Sequence, residues 1–208
     1  MKNFKKTWKK LWHFIWEDDG AWSWLINIVL AFVLIKFIVY PGLGFILATT
    51  HPVVAVVSES MEHADDFDGW WENAGSWYAN ANITKNDFGR FPLNGGFNKG
   101  DIMVLRGKKP QEIKTGDIIV FWSAKKDPII HRVVNRWKYN DTYYFQTKGD
   151  NYRTNPSSIK NSFLDETRIN QDQVVGNAFL RIPLLGYVKI LFNDWVWEPM
   201  LKPLIGLV

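Results

Sequence analysis

The sequence predicts a mainly β fold carried on one N-terminal membrane-spanning helix. Three observations lead there. One apolar run near the N-terminus is long enough to cross a bilayer. Beyond it, short runs rich in β-branched residues are separated by turn dipeptides. No helix-period stretch of comparable strength follows. The chain has 208 residues, a net charge of +4, 12 Trp and no Cys. Without cysteine, disulfide frameworks, thiolate metal sites and cysteine nucleophiles are excluded. The net charge is too small to argue for nucleic acid, and its placement matters more than its sum.

Residues 1–20 form a basic amphipathic segment. Lysines stand at positions 2, 5, 6, 9 and 10, while Phe4, Trp8, Leu11, Trp12 and Ile15 recur at helical spacing. Such a segment lies on a membrane surface. Residues 21–48 are the transmembrane anchor. A bilayer core of about 30 Å needs about 20 helical residues. From Gly20 to Ser58 the only charged residue is Lys36, which can snorkel to an interface. A cleavable signal peptide would have a shorter apolar region and a small-x-small cleavage site. Pro41, Gly42 and Gly44 are expected to break or bend the helix. No lysine follows the span until Lys85, so the N-terminus is expected in the cytoplasm and the rest outside.

Residues 49–195 are the extracytoplasmic domain. Strands are expected at 53–57, 101–105, 117–122, 129–134 and 143–147, divided by Gly-Asp, Lys-Lys-Asp-Pro and Asn-Asp turns. Residues 62–99 interrupt them as an insertion. It carries Asp65, Asp66, Asp68, Glu72 and Asp87 with Trp70, Trp71 and Trp77. It reads as a long surface excursion with one short helix around 70–78. Its acids lack the loop glycine and terminal glutamate of a calcium loop, so a solvated acidic face is the better reading. The stretch from 179 on is apolar but cut by charges and prolines, which argues against a second span. It ends in an apolar segment, 196–208. Two glycosylation tripeptides begin at Asn82 and Asn140.

Few residues are equipped for chemistry. Of the four histidines, His131 lies in Ile-Ile-His-Arg-Val-Val, where alternation sets it on one face with Ile129 and Val133. An apolar face favours the neutral imidazole that a general base requires. A core histidine bonded to a carbonyl would sit in the same pattern. Ser58 and Ser60 follow the run 53–57, where a serine past a strand end suits a nucleophile and an oxyanion donor. Asp150, in Lys-Gly-Asp-Asn, offers a carboxylate to orient a histidine. Zinc hydrolysis has neither an HExxH motif nor enough histidines, and no metal or cofactor is implied.

The order of these boxes is more specific than any one of them. After the anchor come Val-Val-Ser58-Glu59-Ser60-Met61-Glu62 and Lys99-Gly100-Asp101-Ile102. Gly116-Asp117-Ile118-Ile119 and Ile130-His131-Arg132-Val133 follow. The series ends with Thr147-Lys148-Gly149-Asp150-Asn151 and Val174-Val175-Gly176-Asn177-Ala178. This order resembles type I signal peptidases of the archaeal and endoplasmic-reticulum kind, over roughly residues 25–195 without the insertion. The resemblance implies a β-rich, membrane-anchored Ser–His endopeptidase. It would remove signal peptides from exported preproteins, cutting after small residues. Ser60 would be the nucleophile and His131 the general base. The Ser60 N–H and the Ser58 hydroxyl would form the oxyanion hole, with Asp150 at the family's first aspartate. The implied partners are signal-peptide-bearing preproteins, membrane lipid and the protein-export channel, with no nucleic acid.

Two departures stand out. Glu59 replaces the family's glycine, so its side chain must point out of the cleft. The family's second aspartate is missing, and Asn155 is the nearest candidate replacement, with Asp165 farther on. These departures keep open an inactive or weakly active relative, acting as a membrane-anchored preprotein-binding module. Of the 12 Trp, five lie at or before Trp24, and the excess reads as a membrane-contact signal.

Overall fold

The computed structural model describes residues 12–13 and 20–192. Most of the basic segment 1–20, and all of the apolar segment 196–208, lie outside the described residues. The chain divides into two compact units, residues 1–46 and 47–208.

The first unit is helix α1 (Ala21–Ile46), 26 residues with a mean hydropathy of 2.2. At a rise of about 1.5 Å per residue it is long enough to cross a bilayer. Its large apolar side chains, Trp22, Trp24, Phe32 and Phe37 among them, are exposed. Pro41 does not end the helix as expected. Ile35–Val39 form a π-helical stretch just before it, and Tyr40–Ile46 continue as α-helix. The wider turn gives room to a proline ring that would meet the preceding turn's carbonyl in a regular α-helix.

The second unit is mainly β, as the sequence predicts. Its strands are β1 (Val53–Ala55), β2 (Ile102–Arg106), β3 (Ile118–Phe121), β4 (Ile129–Tyr139), β5 (Thr142–Lys148), β6 (Ile169–Asn170) and β7 (Val174–Ile182). They form one antiparallel sheet in the order β1-β2-β7-β3-β4-β5-β6. Central β3 is buried throughout, so its side chains feed two cores. Ile118 and Val120 join Val56, Met61, Phe97, Met103 and Leu105. Ile119 and Phe121 join Ile113, Val133, Phe145, Leu164 and Ile169 on the other face. In register with β3, His131 stands opposite Ile119 and Arg132 opposite Ile118. Neighbouring residues of β4 therefore serve opposite faces.

The insertion differs from the surface excursion expected. Helix α2 (Phe67–Asn80) starts at Asp66, whose carboxylate accepts from the Gly69 N–H at 2.9 Å. Helix α3 (Lys85–Gly89) starts in a capping box of Thr84 and Asp87. Trp70, Ala74 and Tyr78 recur every four residues and are buried together with Ile83, Phe88 and Val134 of β4. Trp70 is 0% exposed, so it is a core residue and not a membrane contact. A short helix α4 (Tyr187–Phe192) follows β7.

Candidate active site

The serine segment leaves β1 and turns back at residues 59–62, where the Glu62 N–H donates to the Glu59 carbonyl at 3.1 Å. The hydroxyl oxygens of Ser58 and Ser60 lie 3.1 Å apart. Glu59 is exposed and is absent from the described residues with positive φ, so this position does not need glycine. The Lys-Gly-Asp-Asn segment clamps the turn from beneath. The Asn151 N–H donates to the Ser60 carbonyl at 2.9 Å, and its side-chain amide donates to the Glu59 carbonyl at 2.8 Å. Gly149 permits this approach, because a Cβ there would sit 2.6 Å from the Ser60 carbonyl oxygen.

His131 reaches the same cavity from the start of β4. A cavity of about 470 Å³ is lined by Ser58, Ser60, Ile130, His131, Asn155 and Leu164, among others. His131 is 4% exposed. Its Nδ1 meets Glu166 Oε1 at 2.5 Å. Glu166 is 0% exposed and accepts two further hydrogen bonds, from Thr147 Oγ1 at 2.9 Å and the Ile159 N–H at 2.8 Å. No sequence motif pointed to Glu166. In the structure Leu164 is buried, Asp165 exposed and Glu166 buried, an alternation that puts the second acid inside.

The sequence offered Asp150 as the partner of His131, but the structure pairs it differently. Asp150 is fully buried and joined to Arg132, on the opposite face of β4. Arg132 Nε donates to both carboxylate oxygens at 3.0 Å, and Nη2 donates to Oδ2 at 2.6 Å. The Tyr78 hydroxyl donates to Oδ1 at 2.8 Å, and Trp70 Nε1 donates to the Asp150 carbonyl at 3.0 Å. His63 stacks on Trp70 at 3.9 Å and sets its Nε2 3.5 Å from Oδ2. Burial pushes the Asp150 pKa up, but the Arg132 charge and hydrogen bonds, with the His63 ring close by, outweigh it and hold the carboxyl well below the usual range. Burial also pushes the Tyr78 phenol up, reinforced by the Asp150 charge. Asn155 lines the cavity, and its side-chain oxygen accepts from the Thr154 hydroxyl at 2.9 Å. Asp165 is exposed and accepts from Thr167.

A hydroxyl pair and an imidazole therefore share one cavity, and the imidazole's other nitrogen is held by a buried carboxylate. That set suits acyl transfer by a serine nucleophile. No family model matches the chain. It is similar, however, to curated proteins across most of its length. The signal peptidase complex catalytic subunit of Fusarium vanettenii is 26% identical over 175 residues, 83% of this chain and 82% of that protein. The subunit of the same name from Neurospora crassa is 27% identical over the same shares. That of Scheffersomyces stipitis is 29% identical over 165 residues, 77% of each chain.

Proposed function

From this likeness to type I signal peptidases of the endoplasmic-reticulum kind, we propose that the chain is a membrane-bound serine endopeptidase. It removes signal peptides from exported preproteins and cuts after small residues. The observation that carries the reading is the shared cavity of Ser60 and His131. In this reading α1 crosses the membrane with its N-terminus in the cytoplasm, the lysine-rich side. Residues 49–195 act on the outer side, on preproteins leaving the export channel. The relatives are named as subunits of a signal peptidase complex, which points to further subunits. They are called catalytic subunits, which weighs against a role limited to binding.

The preprotein's cleavage segment lies extended in the cavity. The Ser60 hydroxyl attacks the scissile carbonyl while His131 takes its proton. The developing oxyanion is met by the Ser60 N–H and the Ser58 hydroxyl. Water then releases the acyl-enzyme. The membrane confines enzyme and substrate to one plane, which raises their effective concentration. Ser60→Ala and His131→Ala are each expected to abolish cleavage of a preprotein by the full chain in liposomes. Full cleavage by either variant would refute the mechanism.

A further inference from the structure

We propose that Glu166 is the acid that positions His131, in the place the sequence offered to Asp150, Asn155 or Asp165. The inference rests on the peptidase reading above, and it adds a residue that no motif supplies. Four features of the site carry it.

The first is contact. Among the described residues, Glu166 Oε1 meets the His131 ring, whereas the charge of Asp150 is already met by Arg132. The second is satisfaction. Oε1 receives His131 and Thr147, and Oε2 receives the Ile159 N–H, so the carboxylate cannot swing away without losing three bonds. The third is backbone support. The Glu166 N–H donates to the Ile159 carbonyl at 2.8 Å, and its carbonyl accepts from the Thr147 N–H at 2.9 Å. The acid is thus fixed to the end of β5, where Lys148 pairs with Arg132, the neighbour of His131 on β4. The fourth is the face. Glu166 belongs to the side of the sheet where Leu164 and Ile169 pack with Val133, and His131 alternates with Val133. Arg132 directs Asp150 to the other side.

The chemistry follows from those positions. With Nδ1–H donated to Glu166, the lone pair of Nε2 is left for the cavity. When Ser60 Oγ bonds to the scissile carbonyl carbon, its proton passes to Nε2 and the carbonyl π pair moves to oxygen. When the C–N bond breaks, the leaving amine takes that proton. Glu166 keeps its charge throughout and stabilises the transient imidazolium. The acid is a glutamate, one methylene longer than aspartate, and it comes from the segment just before β6.

The test uses the full chain in detergent, with ¹⁵N-labelled histidine and a signal-peptide substrate. Glu166→Gln is expected to lower kcat by about 10³–10⁴-fold with little change in KM. Glu166→Asp, which keeps the charge, should recover part of the loss. Asp165→Asn should stay within about twofold of wild type. In the spectrum, neutral His131 should carry its proton on Nδ1 in the wild type and move it to Nε2 in Glu166→Gln, where the amide can donate instead. A folded Glu166→Gln variant with near-wild-type kcat would overturn the assignment. So would a wild-type His131 protonated on Nε2, a result that needs no variant to fold. Absence of cleavage by the wild type would refute the peptidase reading alone, because the tautomer measurement needs no substrate.

Discussion

Replacing Asp150 by alanine removes the carboxylate from a buried cluster and leaves its partners in place. Arg132 is 0% exposed and would keep a charge that only backbone carbonyls of Pro92, Leu93 and Gly116 still face by hydrogen bond. Removing one partner of a buried pair costs about 3–5 kcal/mol. The Tyr78 hydroxyl also loses its acceptor, at about 1–3 kcal/mol for a buried group. The two losses share one network and do not add fully, so about 4–6 kcal/mol is expected. A domain's whole stability is about 5–15 kcal/mol, and for this size each kcal/mol moves the midpoint about 2–4 °C. Asp150→Ala should therefore unfold roughly 10–20 °C below wild type. Tryptophan fluorescence of the full chain in detergent is the assay, since Trp70 is bonded to residue 150. Well below that midpoint, kcat should fall less than about tenfold, because the carboxylate does not face His131. A wild-type midpoint with a kcat loss near 10³-fold would refute the reasoning and return Asp150 to the chemistry.

The same carboxylate makes acid stability a further check. Its folded pKa lies below the unfolded value of about 3.9, so the folded state binds fewer protons in acid. The stabilisation is fully present above the unfolded value and is lost as pH falls through the folded one. Asp150→Asn should lack that part of the decline below about pH 4. Lys148 works in the opposite direction. Burial lowers it to about 8, against the raising effect of Asp150 and Glu166. A lowered lysine costs stability at pH 7, and the cost fades as pH rises from the folded value to the unfolded one near 10.4. Lys148→Met should thus gain up to about 3 kcal/mol at pH 7 in urea unfolding, and nothing near pH 10.5. Gly149→Ala should push the 149–151 segment off the Ser60 carbonyl and cost about 10²-fold in kcat with most of the stability retained. Unchanged kcat would show that the clamp does not set the serine's position.

Much of the fold was legible because burial on a sheet leaves a period of two. The runs at 53–57, 101–105, 117–122, 129–134 and 143–147 became β1 to β5, and the face of His131 followed from alternation. Strand β7 was legible only as a motif, since its first half contains Gly176-Asn177 and its second half, Phe179 to Ile182, continues the apolar C-terminal stretch. Helix α2 is only partly legible in the sequence because Trp70, Ala74 and Tyr78 form a narrow stripe among glycines and acids, a weak helical period whose packing is tertiary. The serine and the histidine of the site could be placed by their local boxes. The acid could not, because its identity depends on which face of β4 a distant segment meets. Lys-Gly-Asp drew attention to Asp150, while Leu-Asp-Glu carried the carboxylate that touches the ring.

The irregularity of β4 has a consequence for how the site can tolerate change. Its pairing with β5 shifts between Val133 and Asn135, and residues 131–134 are buried in succession. The strand thus has a frame, as a message does. Deleting residue 129 or 130 would turn arginine to the face that imidazole now holds and imidazole to the opposite face, inverting both meanings at once. Length in this stretch is accordingly less negotiable than identity. Libraries that vary side chains at 129, 130 or 133 should yield folded proteins far more often than libraries that vary how many residues lie there.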